Sequence, residues 1–331
     1  MKESGKKHKL FIILDGNSIM HRSFHALPPL STRDGELVNA VFGFCSILMT
    51  ILTQEEPYYI AATFDTAAPT FRHEMYTKYK AGRQKAPQEF YDQIPRIKQV
   101  VNTLSIPSFE KEGVEADDII GTVVTLNEKN HPEMHNKIIT SDNDAMQLVS
   151  NRTCVSTLHK GYKSTECFFP KDVYAKYGLM PDQIVDLKAL MGDASDNIPG
   201  IKGIGKVGAT KLLQTYKTLD GIYEHIERIT GKNKQLLLQQ KNEAYFSQKL
   251  ATIVTDVEMD YELEKCKAHD FDTEKIIQLL ESLQFYSLIR RLREWQKTHG
   301  IKASEVASVF DATQNQSKAK PSPNPNQSSL F

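Results

Sequence analysis

The 331-residue sequence has no surplus of either charge, since 41 Lys and Arg balance 41 Asp and Glu. Net charge therefore points to no nucleic-acid partner, and any such partner has to be read from local clusters. Cysteine is scarce. Cys45, Cys154, Cys167 and Cys266 are scattered with no C-x-x-C pair, which argues against a zinc site and a disulfide framework and fits a reducing cytoplasm. Long apolar runs are missing as well. The polar start MKESGKKHKL leads into Leu10 to Leu14, too short for a signal-peptide core or a membrane span. A soluble protein that is not exported and has no membrane partner is expected. With 40% apolar residues, the chain still has the material for one large domain or two modest ones.

Three short apolar runs each end in an acid: LFIILD at 10–15, YYIAATFD at 58–65 and KIITSDND at 137–144. Helix-period stretches lie between them. Leu37, Val41, Phe44, Leu48 and Ile51 form one stripe, and Ile119, Ile120, Val123 and Val124 form another after Asp118. Strands alternating with helices predict an α/β fold with a mainly parallel sheet, whose ligands gather beyond the carboxyl ends of the strands. Asp15, Asp65, Asp142 and Asp144 fall at those ends. From about residue 180 the pattern turns to helices and glycine turns, which predicts a second, smaller helical subdomain. After about Thr313 the chain is TQNQSKAKPSPNPNQSSLF, a tail with too little apolar content to order itself.

The remaining acids come in groups: Glu115, Asp117 and Asp118 in VEADDII, and Asp193 and Asp196 in GDASDN. Glu115 and Asp118 are three apart and share a helix face, whereas Asp117 points elsewhere on an ideal helix. Asp142 and Asp144 differ by the strand period, which places both on one side. A lone acid at a strand end is ordinarily a loop or helix cap. So many together push one another's pKa upward unless a cation neutralises them. Oxygen ligands without histidine or cysteine at matching spacing favour Mg²⁺ or Mn²⁺. Two such ions about 4 Å apart would activate water and stabilise a leaving oxygen, so phosphodiester hydrolysis is the leading chemistry.

Between Phe71 and Lys98, the cations Arg72, Lys78, Lys80, Arg83 and Lys85 are interleaved with Phe71, Tyr76 and Tyr79. Cations bind phosphates and aromatic faces stack on unpaired bases, as single-stranded nucleic acid requires. A solvated amphipathic surface helix would read the same way. The stretch GIKGIGKVGATKLL at 200–213 comes close to a P-loop and to G-x-G-x-x-G. It lacks the preceding strand that both need, and Val207 stands where a P-loop has Ser or Thr. Glycines between two short helices instead describe a hairpin whose N–H groups approach a phosphate, with Lys202, Lys206 and Lys211 adding charge.

Taken in order, LDGNS, FD followed by FRHEMYTKYKAGR, EADD, SDND, GDASDNIPG and GIKGIG resemble the 5′ nuclease family. That family comprises the N-terminal domain of bacterial DNA polymerase I, phage 5′ exonucleases and flap endonucleases. The resemblance runs from about Leu10 to Trp295. It implies a PIN-like α/β core at 8–180 with a helical arch at about 66–98, and a helix-three-turn-helix (helix-hairpin-helix type) subdomain at 181–297. The implied enzyme is a structure-specific 5′-3′ exonuclease and flap endonuclease for primer removal, replication and repair. Its cofactors would be two Mg²⁺ ions, with Mn²⁺ as a substitute, and a K⁺ ion at the 200–208 loop. By motif, Asp15, Asp65, Glu115, Asp117 and Asp118 would serve mainly the first metal, and Asp142, Asp144, Asp193 and Asp196 mainly the second. Arg72, Lys80 and Arg83 match arch positions on the scissile phosphate and 5′ strand, and Arg22 and Tyr79 match positions near the DNA. Lys202, Gly203, Gly205, Lys206 and Lys211 would hold the duplex backbone. Asn143 and Val207-Gly208 depart from the family's usual Lys and Lys-Thr. At 313–331 the tail ends in Gln327, Leu330 and Phe331, which resemble the Q-x-x-L-F peptide that docks on bacterial sliding clamps. A monomer in the bacterial cytoplasm, associated with the nucleoid, is expected.

Overall fold

A computed structural model of the chain describes residues 9–158, 167–268 and 271–299. The continuous apolar run of β1 (Lys9–Asp15) forms the central strand, as expected of a strand covered on both faces. It is followed by α1 (Gly16–Ala26), α2 (Asn39–Thr50), β2 (Tyr59–Thr63), α3 (Phe71–Met75), α4 (Gln88–Tyr91), α5 (Ile94–Thr103), β3 (Ser108–Phe109) and α6 (Ala116–Asn130). Next come β4 (Met134–Thr140), β5 (Thr153–Thr157), β6 (Cys167–Phe168), α7 (Pro170–Tyr177) and α8 (Ile184–Met191). The helical remainder is α9 (Lys206–Tyr216), α10 (Leu219–Glu224), α11 (Gly231–Gln239), α12 (Lys241–Ala251), α13 (Thr273–Ser282) and α14 (Tyr286–His299).

The strand order is β3-β2-β1-β4-β5-β6, with every neighbour parallel except the β5/β6 edge. Connections leave β1 in both directions, so the crevice above its carboxyl end is where such sheets bind ligands. Side chains of β1 alternate between two cores. Ile12 and Leu14 pack with α2, α5, α13 and α14 on one face, and Phe11 and Ile13 pack with α6 on the other. A third core is centred on Leu187, Leu190, Leu213 and Leu237 of the glycine-hairpin region.

Three expectations change here. The helices α13 and α14, placed by sequence in the DNA-binding subdomain, bury Ile276, Leu280, Leu288 and Leu292 against α2 and α5 of the sheet domain. Their apolar stripes find the larger uncovered face. Cys154 and Cys167 pair as a disulfide across the β5/β6 edge, with Cα atoms 5.5 Å apart, because antiparallel pairing brings together cysteines that are distant in sequence. Cys45 and Cys266 are buried free thiols. The expected helical arch is the third change: residues 76–87 carry no regular helix, and the segment bends at Lys80, whose φ is +54°. No described helix is long and apolar enough to cross a membrane.

Candidate metal and nucleic-acid site

A cleft of about 500 Å³ opens above the carboxyl ends of β1, β2 and β4, lined by Asp15, Asp65, Glu115, Asp117 and Asp142 with Lys80, Arg83 and Lys85 along one wall. Asp15 closes β1 and caps α1: its Oδ1 accepts the Ser18 N–H at 2.9 Å and its Oδ2 accepts the Thr140 hydroxyl at 2.6 Å. Burial pushes its carboxyl up to about 6, helped by Asp65 and Asp142 and opposed by the bonds from Thr140 and Ser18. Thr140 Oγ1 also accepts the Asp142 N–H at 2.9 Å, so one hydroxyl at the end of β4 ties two of the acids together. Sequence reasoning passed over Thr140, and its only signal was its place just before SDND. Asp65 accepts the first N–H of α6, from Ala116, at 2.8 Å, and burial raises its pKa.

The three acids of VEADDII divide differently from the helical-face argument. Glu115 is the N-cap of α6 and Asp118 its third residue, and their side chains bond reciprocally to each other's backbone N–H groups. This is a capping box. Asp118 is fully buried and receives both Arg72 Nη1 and Nη2 at 2.7 Å, together with the Val254 N–H at 2.9 Å. Arg72 is 3% exposed and donates further to the carbonyls of Leu250 and Thr252. Both residues are therefore corrected. Neither Asp118 nor Arg72 lines the cleft: they pair with each other inside the protein, Arg72 also with Glu115 and Asp118 also with the Glu115 N–H, and so tie α3 and α6 to the end of α12. Asp117 instead faces the cleft. Among the described residues no hydrogen-bond donor reaches its carboxylate. Burial and then Asp15, Asp142 and Asp144 raise its pKa well above the usual range.

Tyr79 is also corrected. It is 4% exposed, and its hydroxyl reaches Glu115 at 3.1 Å and Asp196 at 3.3 Å. It positions acids and offers no face to a base. Lys80 Nζ lies 2.8 Å from Glu115 Oε1, and the Lys80 N–H donates to the Asp196 carbonyl at 3.0 Å. Arg83 Nη2 pairs with Asp196 at 2.5 Å. These bonds fold the basic segment down onto the acids. Tyr91 and His21 also line the cleft, with the His21 ring stacked on Phe90 at 4.2 Å.

Asp142 and Asp144 lie beyond the last strand residue, so the strand period does not set their relation. A turn does: the Asp144 N–H donates to Asp142 Oδ1 at 2.9 Å. In GDASDNIPG, Asp193 and Ile198 exchange backbone bonds of 2.9 and 2.8 Å across a tight loop that carries Asp196. Lys188, which the sequence did not single out, contacts Asp144 and lies 2.6 Å from Asp193 Oδ2. Burial and Asp142 push Asp144 up to about 7. Burial also acts upward on Asp193, yet the bonds from Lys188 and Ser195 prevail and hold it down at about 2.

The glycine hairpin joins α8 to α9. Gly200 has φ +59°, and a Cβ there would collide with the backbone of Gly192. Gly203 has φ +100°, and Gly205 caps α9 with open space around it. Lys202, Lys206 and Lys211 are exposed, as is Val207. Lys206 Nζ and Lys176 Nζ lie 5.4 and 5.2 Å from the Tyr177 ring, and Lys176 Nζ donates to Asn143 Oδ1 at 2.8 Å. A cation from α7 thus reaches the position where the family's usual lysine is missing. Arg22 lines a groove shared with Arg291 and also a shallow pocket that adjoins the cleft through Ser18, His21 and Ser141, so it lies beside the cleft and not among the acids. Gln327, Leu330 and Phe331 lie outside the described residues.

Could these residues hold divalent ions? Among the described residues no three acid, histidine or cysteine side chains are already grouped as an ion cage. Lysine and arginine side chains stand between several of the acids. The donor set nevertheless fits. It consists of carboxylates alone, suited to hard cations, and it includes Asp117, a carboxylate that faces the cleft without a protein donor and whose acidity is depressed first by burial and then by its neighbours.

Two family models match the chain: "5′-3′ exonuclease, N-terminal resolvase-like domain" over residues 10–178, and "5′-3′ exonuclease, C-terminal SAM fold" over residues 179–274. DNA polymerase I of Bacillus subtilis is 38% identical over 312 residues, covering 93% of this chain and 35% of the relative. DNA polymerase I of Bacillus caldotenax is 41% identical over 285 residues, covering 86% and 32%. The chain thus spans about a third of the length of these relatives. Among solved structures, T5 5′-exonuclease with bound zinc superposes with a TM-score of 0.63 at 20% identity, over 82% of this chain and 99% of that one. The catalytic core of Rad2 in complex with a DNA substrate gives 0.59 at 15% identity, over 87% and 93%. At such identities these two likenesses concern the fold. The matched models, together with acids delivered to one cleft by three parallel strands and the start of α6, establish that the chain belongs to the 5′-3′ exonuclease family.

Proposed function

We propose that the chain is a Mg²⁺-dependent 5′-3′ exonuclease and 5′ flap endonuclease that hydrolyses DNA phosphodiesters during primer removal, replication and repair. The observation that carries this reading is the meeting of Asp15, Asp65, Glu115, Asp117 and Asp142 in a cleft walled by Lys80, Arg83 and Lys85. Asp15, Asp65, Glu115 and Asp117 would hold one divalent ion, and Asp142, Asp144, Asp193 and Asp196 a second. Bound there, Mg²⁺ or Mn²⁺ would supply an activated water and stabilise the leaving oxygen. Lys80 and Arg83 would turn from Glu115 and Asp196 toward the scissile phosphate once those acids engage a metal. Lys202, Lys206 and Lys211 would hold the duplex backbone, at a hairpin joined to the acids by the 192–200 loop, so the length between grip and cleft sets where the cut falls. A K⁺ ion at the 200–208 loop, a monomeric state, a cytoplasmic site of action and docking of Gln327, Leu330 and Phe331 on a sliding clamp complete the proposal.

The test is a 5′-labelled DNA flap incubated with the protein, with and without Mg²⁺. Short labelled products released near the flap junction only with Mg²⁺ are expected. Intact flaps under all conditions, or cleavage undiminished by EDTA, would sink the reading. The clamp proposal is separate: equal retention by the clamp of the full chain and of a chain lacking residues 327–331 would defeat it.

A further inference from the structure

The two groups of acids differ in what already neutralises them. Among the described residues no ammonium or guanidinium lies within ion-pair distance of Asp15, Asp65 or Asp117, and in the first group Glu115 alone is paired, with Lys80 and Arg72, whereas in the second Asp196 pairs with Arg83 and Asp144 and Asp193 share one lysine. That lysine is Lys188. It projects from α8, which packs on α12 and turns its apolar residues Leu187 and Leu190 into the third core. Its side chain is only 13% exposed. Its backbone carbonyl accepts the Gly192 N–H at 2.8 Å, so its base is fixed at the helix end from which the Asp193 loop springs. The ammonium contacts Asp144 and stands 2.6 Å from Asp193 Oδ2, while Asp193 Oδ1 is taken by the Ser195 N–H at 2.8 Å and the Ser195 hydroxyl at 2.6 Å.

We propose that Lys188 is a built-in counter-ion that occupies the carboxylate oxygens of the second group, so that a divalent ion gains Asp144 and Asp193 only by displacing its ammonium. The inference rests on the metal reading above. An ammonium and a divalent cation held at the same oxygens repel each other, and the repulsion is strong where solvent is largely excluded. The lysine side chain must therefore swing away as the ion arrives. Two consequences follow. The protein keeps its second group of acids together without an ion, since removing the partner of a buried charge destabilises the fold. The second ion also binds more weakly than the first, because protein cations hold three of its four acids, Asp144, Asp193 and Asp196, against Glu115 alone in the first group.

The experiment is calorimetric titration of Mn²⁺ into the full chain without DNA, comparing wild type, Lys188→Met and Lys188→Arg. Wild type and Lys188→Arg should show a tighter and a weaker binding step. In Lys188→Met the weaker step should tighten at least tenfold while the tighter step stays put. Thermal melting gives an independent readout: Lys188→Met should melt below wild type in EDTA, and Mn²⁺ should raise its Tm more than it raises that of wild type. If Lys188→Met does not fold, Lys188→Gln, which keeps a neutral donor, carries the same comparison. Two steps left unchanged by loss of the ammonium, or an equal Tm gain from Mn²⁺, overturn the inference alone. No Mn²⁺ binding by any of the proteins overturns the metal reading and this inference with it.

Discussion

The acid cleft and the glycine hairpin lie side by side, yet they are built in opposite ways. The cleft draws Asp15, Asp65, Glu115, Asp117 and Asp142 from separate segments and fixes them through bonds such as Thr140 to Asp15 and Asp65 to the Ala116 N–H. The hairpin is one contiguous stretch whose shape follows from glycines in a left-handed conformation at 200 and 203. Its lysines are exposed, whereas of the cleft acids Asp15 and Glu115 are buried, Asp117 and Asp142 are half-buried and Asp65 alone is exposed. Charge in the cleft is therefore held against desolvation and mutual repulsion, which bound metal ions would relieve. Charge in the hairpin is solvated and binds through screened attraction. Substitutions in the two regions should then fail differently, one in chemistry or folding and the other in salt-sensitive affinity.

The largest effect is expected at Asp117. Asp117→Asn should lower flap cleavage by roughly three orders of magnitude, the scale lost when a group that stabilises developing charge is removed, while leaving the melting temperature unchanged or raised because a repelled carboxylate is gone. Cleavage within tenfold of wild type would remove Asp117 from the cleft chemistry. Its neighbour sharpens the contrast. Asp118→Asn should cost about 3–5 kcal/mol of stability by leaving the Arg72 guanidinium buried and under-paired, read as a shifted denaturant midpoint. A midpoint equal to wild type would show that the Arg72 pair does not hold α3 to α6.

In the hairpin, Gly200→Ala places a methyl against Gly192 at a strained backbone position. A loss of about 2 kcal/mol is expected, with a drop in cleavage because the same loop carries Asp193 and Asp196. A variant as stable and active as wild type would break the link drawn between hairpin and acids. The smallest effect is at Lys206. Lys206→Ala should weaken duplex binding severalfold and lower the salt slope of log K by about 1, as loss of one phosphate contact does, with stability unchanged. An unaltered salt slope would place the duplex elsewhere.

How much of this was legible beforehand depended on distance along the chain. The acid-tipped strands, the parallel sheet and the glycine hairpin were readable because each is a local pattern. Period and composition misplaced the roles of particular side chains. The E-x-x-D spacing that suggests a shared helix face is equally a capping box: Glu115 is the extended N-cap ahead of the helix, and Asp118 spends its oxygens on Arg72 and the backbone. Arg72 and Tyr79 sit in a basic, aromatic stretch that reads as a DNA contact, yet both are inside the protein. Lys188 lay in an ordinary amphipathic helix with nothing in its sequence surroundings to mark it. Cys154 and Cys167 were invisible as a pair because β5 and β6 had first to be set antiparallel.

By itself the sequence determined that strands would carry acids to one edge of a sheet and that glycines would turn the chain between α8 and α9, since strand pattern and positive φ are properties of short segments. Which acids face the cleft and which are buried against a cation was decided only by tertiary structure. Adjacent carboxylates such as Asp117 and Asp118 are chemically alike, and only the distant residues packed around them, Arg72 and Val254 on one side and Asp15 and Asp142 on the other, make them different.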